Sequence, residues 1–200
     1  MFWWEWRFLT VKNDARSVEK EFLERFVDGV KQLKVGNPAE PDTIIGPIIN
    51  QSQLDGLNQK IKSSQSGDVK LVYGGEAEGL LLPPHVFSPV EGSHQLCREE
   101  TFGPLIPITI ADNETHALQL ANNTKHGLSS AVFTENMERG LNFARGIYAG
   151  MTHINDITID DQPLAPFGGE KNSGIGRFNG DYIMEEFTRA HWITWQGTGQ

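Results

Sequence analysis

Apolar positions recur at helical spacing in five stretches of this chain and gather into short runs between them. From about Ala15 to Lys34, Val18, Phe22, Phe26, Val30 and Leu33 fall three or four residues apart and draw one stripe along a helix. Asn13 or Asp14 can cap it, and Gly36 with Pro38 ends it. A second helix takes Ser52 as its cap and carries Leu54, Leu57 and Ile61 inward. A third runs from Asn113 to about Asn123 and buries Ala117, Leu118, Leu120 and Ala121. The fourth starts at Asn136, with Met137, Leu141, Ala144 and Ile147 inward. The last covers about Asp181 to Arg189 and turns Ile183, Met184 and Phe187 inward.

Strands fill the gaps. Arg7 to Val11, Lys70 to Tyr73, Leu128 to Thr134 and Met151 to Asn155 read as short strands, and His191 to Gln196 as a closing one. Thr43 to Asn50 is an apolar connector broken at Gly46-Pro47. Leu80 to Val90 holds Pro83, Pro84 and Pro89, which argues for an extended segment outside the centre of a ladder. In the run from Leu105, Ile106, Ile108 and Ile110 share one face while Leu105 and Thr109 take the other. Pro107 removes one donor there and implies an edge position or a local break. Strand, helix, strand, helix, strand across residues 105–155 is the pattern of an α/β fold with a parallel sheet. Asp156 to Asn179 breaks the pattern: it is long, polar and glycine-rich, the mark of a functional or disordered loop.

Composition narrows the function. The 200 residues carry a net charge of -9 with no Lys/Arg run, which argues against a nucleic-acid surface. No apolar run approaches the ~20 residues that span a membrane. The single cysteine, Cys97, excludes an internal disulfide and a multi-cysteine metal site, and a reducing cytoplasm is the compartment it fits. The six histidines lack metal-ligand spacing, and Asp156, Asp160 and Asp161 fit no calcium loop, so no metal site is expected. At the N-terminus, three of the five tryptophans fall within Met1 to Trp6, as an aromatic first strand or as a segment foreign to the fold that follows.

Candidate chemistry gathers in two places. Arg98-Glu99-Glu100-Thr101-Phe102-Gly103-Pro104 sets two acids, an aromatic and a Gly-Pro turn directly before a strand. An ionised carboxylate held in such a turn can accept hydrogen bonds from two vicinal hydroxyls of a sugar; the alternative is a solvated acidic pair. The second place is Pro166-Phe167-Gly168-Gly169-Glu170-Lys171-Asn172-Ser173-Gly174-Ile175-Gly176-Arg177. Its order fits neither a phosphate loop nor a dinucleotide fingerprint. What it supplies is a tight backbone path that returns Phe167 over a cleft. Cys97 invites a nucleophile reading, but the neighbouring acids would raise a thiol pKa rather than lower it, and an ordinary half-buried thiol is preferred.

Taken in order, these motifs resemble the C-terminal part of an aldehyde dehydrogenase. The resemblance is carried by Glu99 to Pro104, His126-Gly127-Leu128-Ser129-Ser130-Ala131-Val132-Phe133-Thr134, Gly150 to Asn155, Pro166 to Arg177 and Glu186-Phe187-Thr188. Upstream, Leu33 to Pro38 and Ile45 to Ile49 also match, so it runs from about Arg7 to Gln196. The spacing of Ile154-Asn155-Asp156 and of Pro163 to Pro166 is most similar to the branch that oxidises aromatic aldehydes.

The resemblance implies an α/β fold, a partial catalytic domain with a parallel sheet and flanking helices over residues 7–190. It further implies a divergent segment at 1–6 and an oligomerisation strand with a tail at 191–200, hence a homo-oligomer or association with related chains. The implied reaction is NAD- or NADP-dependent oxidation of a small-molecule aldehyde to its acid, through a cysteine thiolate and a glutamate-activated water. Glu100 then matches the acid that hydrogen-bonds the nicotinamide ribose, Phe102 the aromatic beside it, and Asn155 with Phe167 the substrate cleft. The cofactor-binding fold, the nucleophilic cysteine and the general-base glutamate have no match in these residues. Cys97 lies too close before the Glu-Glu pair to take the nucleophile's role, so no catalytic residue is assigned, and the chain alone is expected to be inactive.

Overall fold

A computed structural model describes residues 8–11, 16–65 and 67–197, and the chain divides into two compact units, 1–124 and 125–200.

The first unit is built on a four-stranded sheet. In chain order its elements are β1 (Phe8–Val11), α1 (Arg16–Lys31), α2 (Gln51–Ser64), β2 (Lys70–Tyr73), β3 (His85–Ser88), α3 (Gln95–Arg98), β4 (Leu105–Ala111) and α4 (Glu114–Asn122). The sheet order is β1-β4-β3-β2, with β4 parallel to both neighbours and β2 antiparallel to β3. Alternation along the strands sorts two cores. Phe87 and Leu105 pack with Leu54, Leu57 and Ile61 of α2 and Leu96 and Cys97 of α3. Val86, Ile106 and Ile108 pack with Phe22, Phe26, Val27 and Val30 of α1, where the two Phe rings stack at 5.6 Å. The α1 stripe therefore does what its spacing predicts over these residues. Val18 and the caps at Asn13 or Asp14 lie outside the described side chains, and Leu33, beyond the helix end, is exposed.

Two expectations about proline are corrected. β3 lies inside the sheet with all four residues buried; Pro83, Pro84 and Pro89 border it rather than interrupt it. β4 has a neighbour on each side and is no edge strand. The N–H of His85 donates to the Pro104 carbonyl and that of Val90 to the Ile108 carbonyl, both at 2.8 Å. Even-numbered residues of β4 thus point their backbone groups toward β3, and Pro107 points toward the other side. There the described β1 ladder pairs Phe8 to Val11 with Ile108 to Ala111, all beyond Pro107.

The cap of α2 is also corrected from Ser52 to Asn50, whose side-chain oxygen accepts from the Gln53 N–H at 2.9 Å. Asn113 and Asn136 cap α4 and the helix that begins at Met137 as expected, accepting from His116 and Arg139. Of the α4 residues expected inward, Ala117 is fully buried and Leu118, Leu120 and Ala121 are half-buried.

The second unit holds β5 (His126–Gly127), β6 (Ser129–Val132), α5 (Met137–Arg145), β7 (Met151–Ile154), β8 (Glu170–Lys171) and α6 (Tyr182–Phe187). β6 and β7 form a parallel pair joined through α5, while β5 pairs antiparallel with β8. The strands from 105 to 155 therefore do not enter one ladder: β4 belongs to the first unit's sheet. α5 presents Gly140, Phe143 and Ala144 inward, as does Ile147 just beyond its end, whereas Met137 and Leu141 are exposed against expectation. A Cβ at Gly140 would stand 3.3 Å from Ile154 of β7, so that close approach sets which face turns in. α6 is shorter than expected, and Ile183, Met184 and Phe187 are exposed within this chain. His191 to Gln196 makes no ladder with any described strand, and Trp192 is 89% exposed.

Candidate functional site: the acidic turn and the glycine-rich loop

The acidic turn sits between α3 and β4 and is seated on one face of α2. Gln53, Leu57 and Lys60 lie at i, i+4 and i+7 of that helix, so their side chains share a face. Gln53 Nε2 donates to the carbonyls of Thr101 at 3.1 Å and Phe102 at 3.4 Å. Lys60 Nζ donates to the Glu100 carbonyl at 3.2 Å and pairs with the Glu99 carboxylate at 3.3 Å. Between them, a Cβ at Gly103 would stand 2.6 Å from both methyl groups of Leu57, so glycine lets the backbone lie on the helix. Phe102 adopts a left-handed φ of 47°, a region a bulky residue leaves unless its surroundings hold it. The residue is 63% exposed, two positions from an exposed Glu100. Glu100 and Phe102, singled out in the sequence, are thus displayed together from one turn. An exposed carboxylate beside an exposed ring can accept from sugar hydroxyls while the ring covers one face of a ligand.

Cys97 lies at the root of the same turn and is 1% exposed, its Sγ 3.7 Å from Thr109 Oγ1. It is a core residue rather than a half-buried one, and as placed it meets no dissolved electrophile.

The second unit carries Asn155 and Phe167. Asn155 ends β7 with a left-handed φ of 57°. Its Oδ1 accepts from the Thr134 N–H and its Nδ2 donates to the Thr134 carbonyl, both at 2.8 Å. Phe167 is half-buried and exchanges two backbone hydrogen bonds with Phe178, at 3.0 and 2.7 Å. That bridge closes the glycine-rich loop. Inside it Arg177 donates to the carbonyls of Gly169 and Gly176 and pairs with Glu170, while Glu186 accepts from the Arg177 N–H at 3.1 Å. A cleft of about 290 Å³ lies between Met151 to His153 of β7 and the loop residues Asp161, Pro166 and Phe167. Phe167 lines it, and Asn155 is not among its lining residues. The acids considered for a cation hold local turns: Asp156 accepts from Ile157 N–H, Asp160 from Gln162 and Asp161 from Asn179.

The family model described as "Aldehyde dehydrogenase family" matches residues 14–193, nearly the whole chain. This chain belongs to the aldehyde dehydrogenase family. A vanillin dehydrogenase of Corynebacterium glutamicum is 49% identical over 177 residues, which cover 88% of this chain and 37% of that protein. A salicylaldehyde dehydrogenase from Pseudomonas putida G7, solved with salicylaldehyde, superposes with a TM-score of 0.88 at 34% identity, over 98% of this chain and 40% of that one. A Mycobacterium tuberculosis aldehyde dehydrogenase solved with NAD+ does so with 0.82 at 34% identity, over 92% and 38%. This aldehyde dehydrogenase chain therefore spans little more than a third of the length of such relatives. Parallel strands flanked by helices agree with the α/β partial domain that the motifs implied.

Four side chains that organise the two regions went unassigned in the sequence. Gln53 and Lys60 stand at helical spacing from Leu57, a visible signal, yet polar residues on an amphipathic helix read as its solvated face. Arg177 and Glu186 fall inside quoted motifs, but nothing in their spacing reveals that Glu186 folds back nine residues onto the Arg177 N–H.

Proposed function

We propose that this chain supplies the nicotinamide-ribose contact and one wall of the aldehyde cleft of an aldehyde dehydrogenase acting on aromatic aldehydes, and that it completes no turnover alone. The observation that carries the reading is the display of Glu100 and Phe102 from one turn anchored to α2. The Glu100 carboxylate accepts from the ribose hydroxyls and the Phe102 ring packs beside the sugar. NAD or NADP, when bound, supplies the hydride acceptor. Phe167 and Asn155 border the aldehyde, Phe167 with its ring and Asn155 by fixing the end of β7. The aromatic substrate class follows the vanillin and salicylaldehyde relatives. Inactivity of the chain alone follows from its single cysteine, walled into the core at Cys97. Incubated with NAD and benzaldehyde, the purified chain forms no NADH; sustained turnover above a heat-killed control overturns the reading.

A second reading is favoured by the exposed Trp192, Ile193 and Trp195. In it the chain is a cytoplasmic interaction module, with residues 7–190 as its body and 191–200 adding a strand to a second copy or a related chain. Residues 1–6 lie outside both roles. Sedimentation as a clean monomer, also after mixing with a full-length relative, counts against it.

A further inference from the structure

One lysine of α2 meets both adjacent acids of the turn. Lys60 reaches from α2 to the Glu99 carboxylate and to the Glu100 carbonyl, while Gln53 takes the next two carbonyls, those of Thr101 and Phe102. Three consecutive carbonyls thus accept from α2 side chains, which fixes the orientation of three consecutive peptide planes. Phe102, at the end of that run, keeps a left-handed conformation that its side chain disfavours. The Lys60 side chain is only 28% exposed, held against the turn rather than trailing in solvent.

We infer that Lys60 is a positioning residue: it draws Glu99 onto α2 and locks the turn so that Glu100, with the Phe102 ring, faces the ligand. The inference rests on the ribose-binding role proposed for that turn. It assigns the paired acids opposite duties, with Glu99 serving the helix and Glu100 serving the site. Lys60 itself touches no substrate.

The test uses the whole chain, labelled with 15N, and reads backbone order parameters of residues 100–103 against the core amides of Val86 and Ile108. In the unsubstituted chain the turn is as ordered as the core, near ~0.85. Lys60→Met lowers the order parameters at 100–103 below ~0.6 and leaves Val86 and Ile108 unchanged. Lys60→Arg, which keeps a cation and its donors, recovers at least half of the loss. Glu99→Gln, which keeps the shape and removes the ion pair, loosens the same four residues to a smaller degree. An unchanged turn in Lys60→Met and Glu99→Gln, or a loss spread evenly into the core, overturns the inference. Saturation transfer to nicotinamide mononucleotide reads the ligand side: Lys60→Met reduces it at least five-fold with the probe at fixed concentration. Absence of transfer in the unsubstituted chain refutes the ribose role, and the order parameters then decide the positioning role alone.

Discussion

Asn155 holds Thr134 by both ends of its carboxamide, accepting from the Thr134 N–H and donating to the Thr134 carbonyl at 2.8 Å each. Thr134 in turn accepts at Oγ1 from the Asn136 N–H, at the start of α5. The clip joins the end of β7 to the turn that opens the helix packed on it. Asn155, a residue expected at the substrate cleft, thus fastens the end of its strand to that turn.

Replacement of Asn155 tests the clip. Two hydrogen bonds at ~1 kcal/mol each, plus the left-handed backbone that alanine tolerates poorly, put the loss for Asn155→Ala at about 3 kcal/mol. Asn155→Gly keeps the backbone freedom and loses less. Urea unfolding followed by fluorescence orders the two variants; an Asn155→Ala midpoint equal to the unsubstituted chain's refutes the clip.

Gly103 and Leu57 make a second sharp test. With a Cβ 2.6 Å from both Leu57 methyls, Gly103→Ala overpacks the seat of the turn and costs about 1–3 kcal/mol. Leu57→Ala opens that space, so the double variant is more stable than the sum of the two single losses allows. Strict additivity in a double-mutant cycle contradicts the contact.

Stability also depends on pH through His85. Burial lowers its pKa from 6.5, against the opposing pulls of the Pro83 carbonyl, 2.8 Å from Nδ1, and of Glu76. The native state therefore binds the proton less readily than the unfolded chain does. Its stability is intact above pH 6.5 and falls as pH drops from there toward the lower native value. Urea midpoints measured from about pH 8 to pH 5 show that decline, and His85→Asn flattens it. A slope unchanged in His85→Asn assigns the dependence elsewhere.

The same physical contrast explains which features were legible in the sequence. α1, α2 and the caps Asn113 and Asn136 follow from spacing and side-chain chemistry within a few residues, and they appear as expected. β3 is hidden in the sequence because prolines that border a strand read like prolines that break one. Asn50 and Ser52 are both competent caps, and only the backbone geometry decides between them. The inward faces assigned to α5 and α6 failed for different reasons. On α5 the close approach at Gly140 rotates the buried face away from Met137 and Leu141. On α6 an apolar stripe predicts burial without saying what covers it, and Phe187, which meets the Phe178 ring at 6.2 Å, stays 75% exposed. Glu100 and Phe102 are legible as a motif, whereas their anchors on α2 lie 40 to 49 residues upstream and become visible only once the chain has folded.

The proposed function pairs a ribose-binding turn with a single thiol, Cys97, that is too buried to attack an aldehyde. It is tested most directly by NADH formation from NAD and benzaldehyde, measured side by side for the unsubstituted chain and Cys97→Ser. Both traces are expected to stay at the level of a heat-killed control. Turnover by the unsubstituted chain that Cys97→Ser abolishes contradicts the claim.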